Sequence, residues 1–453
     1  TFHGLQRIHL FLLISWCLVL VQGWMIPSSK STTSATTTTV GRPYAPKPTT
    51  RNDENQVLKL SSSSTQAEKH PQDEGEAPPG LVGVVAPLKR IGPYLCVSLL
   101  LEGNQERKKN NWNDIDNETL IYDFVLDTGA NVNSVDARVV EKLQLPEFAV
   151  PELPTTMFGV TGQQPGRQLH LVGDVALAGL PPPRITFLRK LVAASLDFPS
   201  PVGSGLLGLP FFWSFPAGVE FDWFGTDGDP PTLIFYYGQD LPPDEIANTH
   251  NMLRVPLTPL LGGLLTLRVK INGVEIQALL DTGSPVTVLN DEACKVVGLM
   301  DVMTKANDDE IKEREFPVVR IAGVDGGQSE LRMLKDKVFV EVDGTMRGEH
   351  QTSDDSGIDS PLCSISLGKG HVWNGKLPGL LMMEQLISTS DTAIPEPANK
   401  STFLRKVPAV VLGLDFLQQM YRMILRAPSN EVWLQEMTSE QREEFLEGTK
   451  VEE

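Results

Sequence analysis

Ala278-Leu279-Leu280-Asp281-Thr282-Gly283-Ser284 carries an apolar run into a carboxylate and then turns the chain through Thr-Gly. The same words stand earlier as Phe124-Val125-Leu126-Asp127-Thr128-Gly129-Ala130. Average composition yields an Asp-Thr-Gly triplet ~0.1 times in a chain of this length. Requiring two apolar residues before it and a small one after lowers that to roughly 0.001 per copy. Two copies are therefore a signal. Each apolar lead-in reads as a strand entering a core and delivering a carboxylate at its end.

The surroundings of the second copy are the clearer. Residues 266–271 alternate polar and apolar, Asn272-Gly273 follows, and residues 274–278 alternate again. Asn-Gly between two alternating runs predicts a hairpin, because both residues tolerate positive φ. Asn290 or Asp291 is expected to cap a short helix through Val297, with Gly298 stopping it. In the first copy the strands are 94–101 and 120–126, separated by a long charged loop at 102–119 that belongs at the surface. From the Asp onward the copies align without gaps, Val132 matching Val286 and Leu145 matching Leu299.

Two further features recur in the same order. Gly159-Val160-Thr161-Gly162 and Gly323-Val324-Asp325-Gly326 are glycine turns between strand-like segments. Gly205-Leu206-Leu207-Gly208-Leu209 and Val410-Val411-Leu412-Gly413-Leu414 are apolar pairs before glycine, each followed by a strand-like segment, near 219–223 and 421–425. This order implies an internal duplication: two β-rich units, 81–245 and 253–437, related by a pseudo-twofold axis.

Bulk properties narrow the function. The chain has 453 residues, 41% of them hydrophobic, and a formal net charge of −18. An acidic body argues against nucleic acid as a partner, since phosphate binding needs basic patches. Cys17, Cys96, Cys294 and Cys363 form no disulfide framework and no zinc pattern, and the histidines show no metal-binding spacing. No cofactor and no metal are expected. Gly203-Ser204-Gly205-Leu206-Leu207-Gly208 imitates a dinucleotide fingerprint, but Leu209-Pro210 stands where a helix should open and no βαβ unit surrounds it. Asn117-Glu118-Thr119 and Asn399-Lys400-Ser401 fit the short glycosylation pattern.

The ends read differently from the body. The chain opens on Thr1 rather than Met, so an incomplete N-terminus is expected. Arg7 precedes an apolar run at 8–21, and Val21-Gln22-Gly23 offers a small-residue cleavage site, so 1–23 reads as a signal peptide. The run is short for a membrane span, although a signal anchor stays open. Residues 24–50 are rich in Ser and Thr and lack acidic residues. Such a segment after a signal peptide resembles the bipartite plastid leaders of algae with secondary plastids; a plain Ser/Thr linker in a secreted protein is the other reading. The linker 24–80 is expected to lack structure, and 438–453 is an acidic tail without an assigned role.

Taken together, the repeated order resembles that of the aspartic peptidases, and in detail the retropepsin-like units. That family unit is a hairpin, an apolar strand into Asp-Thr-Gly, a flap hairpin, and an apolar-apolar-Gly segment behind the active-site loop. The resemblance covers nearly all of 90–435 and implies an all-β fold of two acid-protease β-barrel units in one chain. Both halves keep a flap-like Gly-Val-x-Gly, which favours a retropepsin-like tandem; pepsin-like architecture is the runner-up.

The resemblance implies an aspartic endopeptidase acting on peptide or protein substrates, a monomer with a pseudo-dimeric active site. Two carboxylates across a twofold axis cannot both carry charge comfortably, so one proton is shared. Asp127 and Asp281 are the expected dyad, one as base to water and one as acid toward the carbonyl oxygen. Thr128 and Thr282 are expected to cross-brace the loops, Gly129 and Gly283 to pass close beneath the carboxylates, and Gly208 and Gly413 to back the loops. Gly159, Val160, Gly162, Gly323, Val324 and Gly326 are the expected flap tips. Ala130 stands opposite Ser284; the Ser284 hydroxyl is expected to donate to Asp281 and bias it toward the ionised form, leaving Asp127 protonated. Asn131 and Pro285 occupy positions where family members often carry a carboxylate or polar residue. A non-catalytic binding module on the same fold, and self-processing near Gly80, are the other functional readings.

Overall fold

The structure, a computed structural model, describes residues 83–101, 121–148, 157–159, 162–164, 168–179, 187–198, 203–224, 231–238, 249, 251–260, 263–299, 318–322, 328–346, 362–375 and 407–443. The leader and linker at 1–80, the loop at 102–119, the tip residues Val160, Gly323, Val324 and Gly326, and the end of the tail lie outside the described residues.

The fold is all-β, and it grows from two hairpins. In the second half Leu265–Ile271 pairs with Val274–Leu280. Asn272 and Gly273 at the turn take φ of 49° and 80°, the two positive values that a two-residue turn of this twist requires. In the first half Tyr94–Leu101 pairs with Ile121–Leu126. Beyond the hairpin, each Asp-bearing strand gains a parallel neighbour from the apolar pair before glycine. Gly205–Leu207 lies beside residues 124–126, and Ala409–Leu412 beside residues 277–280. Buried on both faces, these strands need the unbroken apolar runs that the sequence supplies.

The sheets then close by the same route twice. Gly205–Leu207 pairs with Ser134–Asp136, which runs parallel to Leu188–Leu196. That strand pairs with Leu169–Leu177, which returns to the far end of the first hairpin strand and completes a barrel. In the second half the two outer strands are each interrupted. Gln328–Met333 and Val338–Met346 do the work of Leu169–Leu177, and Leu362–Gly370 and Trp373–Gly375 that of Leu188–Leu196. Helix Ala137–Leu143 is capped by Asp136 and helix Asp291–Val296 by Asn290, equivalent positions of the repeat.

Six consecutive strands join the halves, three from each: Gly83–Pro87, Thr232–Tyr236 and Gly218–Asp222, then Met420–Arg426, Glu431–Glu436 and Leu253–Pro256, the last pairing onward with Val338–Met346 of the second half. The central antiparallel pair sets Phe221 opposite Met423. Near it the buried Glu220 pairs with Arg422 at 3.2 Å and accepts the Tyr236 hydroxyl at 2.5 Å. Phe187, Phe211, Phe215 and Phe235 pack with ring centroids 4.7–6.2 Å apart in a core continuous through both halves. Among the described residues no helix is long and apolar enough to cross a membrane.

One sequence expectation is corrected here. A short helix, Leu209–Phe212, does open after Gly208, with Pro210 in its first turn, where the missing N–H costs no intrahelical bond. The preceding strand nonetheless sits between a parallel and an antiparallel neighbour with no βαβ crossover, so the dinucleotide reading stays excluded.

Candidate active site

Each Asp-Thr-Gly loop leaves its strand and is held from behind by the glycine that ends the parallel neighbour. Leu209 N–H donates to Ala130 O and Leu414 N–H to Ser284 O, both at 2.8 Å. Gly208 N–H donates to Asn133 Oδ1 and Gly413 N–H to Thr287 Oγ1, both at 3.0 Å. A Cβ on Gly208 would sit 2.4 Å from Val132 O, and one on Gly413 2.5 Å from Val286 O. No side chain fits in either place, so the backing positions demand glycine for want of space.

The two loops lock to each other through their threonines. Thr128 Oγ1 donates to Leu280 O at 2.7 Å, and Thr282 Oγ1 donates to Leu126 O at 2.9 Å. Each hydroxyl also accepts the opposite threonine's amide, Thr282 N–H at 3.0 Å and Thr128 N–H at 3.1 Å. Both threonines are fully buried, so these four bonds are made away from water and hold the loops in a fixed relation.

That interlock brings the carboxylates together. A Cβ on Gly129 would lie 2.5 Å from Asp281 Cγ, and one on Gly283 2.3 Å from Asp127 Cγ. Each carboxylate therefore rests over the glycine of the other loop. Asp281 is 1% exposed, whereas Asp127 keeps partial solvent contact.

The two acids are not equivalent. Asp281 Oδ1 accepts Gly283 N–H at 2.9 Å and Ser284 N–H at 3.1 Å, while the buried Asp127 Oδ1 has no hydrogen-bond partner. Burial raises the Asp127 pKa well above the usual carboxylate range. The Asp281 charge and the proton held toward Asp281 raise it further, and the Gly129 and Ala130 amides offset only part of this. Asp281 is also raised by burial, but less, since the Asp127 hydrogen bond and nearby amides favour its anion. Both acids are thus held above the ordinary carboxylate range, as a pair that shares one proton must be.

The sequence expectation placed the Ser284 hydroxyl on Asp281, and that contact is not made. The Ser284 hydroxyl donates to Val286 O at 2.8 Å instead of to Asp281. It is the Ser284 amide that reaches the carboxylate, and Ala130 has an amide too. The side-chain difference between Ala130 and Ser284 therefore does not set the asymmetry. The Asp127 hydrogen bond, followed by the Gly283 and Ser284 amides, is what favours the Asp281 anion.

Of the flap positions, Gly159 and Gly162 pair with each other at the end of the hairpin Met157–Gly159 and Gly162–Gln164. In the second half Val318–Ala322 pairs with Gln328–Met333, bracketing the turn whose residues lie outside the description.

Two residues near the site went unread in the sequence. The ladder that sets Cys96 opposite Val125 and Val97 opposite Phe124, carried two residues further, sets Tyr94 across from Asp127. Its phenol is raised by burial and then by the charges of both aspartates. The corresponding continuation in the second half brings Leu264 opposite Asp281. The other residue is Asp415, partly buried behind the Asp281 loop and hydrogen-bonded to Thr287. No local pattern marks either residue; pairing Tyr94 with its cross-strand partner was the one available signal.

No protein-family model and no curated protein matches the chain. Solved structures do match, among them the crystal structure of basic 7S globulin from soybean. It is 13% identical, with 78% of this chain and 95% of that chain covered at a TM-score of 0.41.

Proposed function

We propose that the chain is an aspartic endopeptidase, hydrolysing peptide bonds with a water activated between Asp127 and Asp281. What supports this above all is the mutual seating of the two carboxylates, each over the glycine of the opposite loop. Two acids so close share a proton, and the unequal supply of N–H donors decides which of them keeps it.

The chemistry follows from that inequality. Asp281, as base, takes a proton from water while the water oxygen bonds to the scissile carbonyl carbon. Asp127 gives its proton to the carbonyl oxygen, so a neutral tetrahedral diol forms. On collapse the C–N bond breaks, the proton on Asp281 passes to the leaving amine, and a diol hydroxyl returns its proton to Asp127. Neither carboxylate has to form a covalent bond.

Within the aspartic peptidases, hairpins at flap positions in both halves favour a retropepsin-like tandem over a pepsin-like chain. The substrate is an extended peptide segment of a protein, and one chain supplies both halves of the site. The leader is proposed to direct the protein into the secretory pathway, bound for a plastid or else secreted or held in an endomembrane lumen. Incubation with a peptide library across acid to neutral pH tests the activity. Cleavage abolished by Asp127→Asn, by Asp281→Asn and by a statine-type inhibitor is the expected result. No cleavage at any pH, together with peptide binding, would instead establish a non-catalytic binding module.

A further inference from the structure

The Asp281 loop is supported from behind by a partly buried carboxylate that has no counterpart in the first half. Thr287, six residues beyond Asp281, donates its amide to Asp415 Oδ2 at 2.8 Å and its hydroxyl to Asp415 Oδ1 at 2.6 Å. The same hydroxyl accepts Gly413 N–H at 3.0 Å, and Asp415 Oδ1 also accepts Phe416 N–H at 3.0 Å. One carboxylate thus ties the far end of the catalytic loop to the helical turn Leu414–Leu417, which itself holds Ser284 O through the Leu414 amide.

In the first half the repeat sets Asn133 where Thr287 stands and Pro210 where Asp415 stands. Asn133 needs no carboxylate. Its Oδ1 accepts Gly208 N–H at 3.0 Å and its Nδ2 donates to Val192 O at 3.2 Å, so one amide side chain provides both acceptor and donor. A threonine hydroxyl that accepts from Gly413 must still place its own proton, and in a buried site an unplaced donor is costly. Asp415 accepts it.

We infer that Asp415 is a positioning residue for Asp281, acting through Thr287, and that the second half of the site alone depends on such a device. Asp415 touches neither reacting group; it fixes the loop on which the base is carried. The inference rests on the proposed peptidase activity for its kinetic arm only.

The test uses Asp415→Asn, Thr287→Val and Thr287→Ser in the full chain. Asn can accept one of the two Thr287 donors but meets the other with an N–H, so the loop loosens. Asp415→Asn and Thr287→Val are expected to lower kcat roughly 10–100-fold while KM stays within about twofold, the signature of a displaced reacting group. Thr287→Ser keeps the hydroxyl and should remain within about threefold of the parent. The double variant Asp415→Asn/Thr287→Val should be no slower than Thr287→Val alone, because both changes remove one connection.

Amide hydrogen exchange supplies a reading independent of catalysis. Residues 281–289 should exchange faster in Asp415→Asn while residues 127–135 do not change. An unaltered kcat in both variants of a parent that does cleave, or equal acceleration of exchange in the two loops, would overturn the inference. If the parent cleaves nothing, the peptidase reading fails while the exchange measurement still decides whether Asp415 holds this loop. If Asp415→Asn does not fold, Thr287→Val against Thr287→Ser gives the same two readings.

Discussion

Replacing Gly283 with alanine tests the inferred geometry most directly. Its Cβ would stand 2.3 Å from Asp127 Cγ and 2.6 and 2.7 Å from the two carboxylate oxygens, where ordinary contact begins near 3.4 Å. The carboxylate must therefore retreat by roughly 1 Å, or the loop must give way by as much. The loop cannot yield freely, because Thr282 is tied to Leu126 O and Thr128 at 2.9–3.1 Å. Displacing a reacting group by about 1 Å costs on the order of 100-fold in rate. Overpacking of a filled interior costs about 1–3 kcal/mol of stability. Gly283→Ala should thus lower kcat about 100-fold with a modest fall in melting temperature, and Gly129→Ala, 2.5 Å from Asp281 Cγ, should do the same. Steady-state peptide hydrolysis and a thermal melt measure the two effects. A Gly283→Ala protein with kcat within a fewfold of the parent would show that the carboxylates do not sit as described.

Other perturbations follow from the same contacts. Thr128→Val and Thr282→Val each remove two buried hydrogen bonds and leave a buried amide and carbonyl unpaired, so each should cost about 2–4 kcal/mol in chemical denaturation. Serine at either position should restore most of that. Asp127→Asn should remove the proton donor and Asp281→Asn the base, so both should abolish turnover while leaving the fold; a variant that stays active would dismiss its residue from the chemistry. Stability should depend on pH with a definite sign. Asp127 and Glu220 are raised by burial, and Asp415 is raised by burial to about 6. Acids raised in the folded state contribute stability that is fully present below the ordinary carboxylate range and lost as pH rises through the folded value. Melting temperature should therefore fall between about pH 4 and about pH 7, and Asp415→Asn should flatten part of that fall. A melting temperature that climbs over this interval would contradict the burial of these acids.

Much of the barrel was legible because its signals are local. Asn272-Gly273 specifies a turn through the φ values of two adjacent residues. The apolar runs before each Asp, and the apolar pairs before Gly208 and Gly413, are what strands buried on both faces require. The gapless match of the copies also holds in space. Asp136 and Asn290 cap equivalent helices, and Leu145 and Leu299 donate to Val140 O and Cys294 O at equivalent positions.

The side-chain partners were another matter. Whether the Ser284 hydroxyl turns to Asp281 or to Val286 O depends on a rotamer and on which acceptor the fold leaves in reach. Asp415 lies 128 residues from Thr287, and only the packing of the helical turn against the loop makes them partners. Nothing near either residue in sequence announces the other.

The sequence by itself determined that the chain is two copies of one β-unit, and that each copy carries a carboxylate at the end of a buried strand on a glycine turn. Periodicity, turn chemistry and repetition suffice for that, since each is written in neighbouring residues. Only the tertiary structure decided that the carboxylates meet, and that they meet unequally. Their contact runs through Thr128 and Thr282, bonded across 154 residues. Their surroundings differ in which buried amides reach each carboxylate, a property of the assembled loops rather than of the letters Asp-Thr-Gly, which are the same in both.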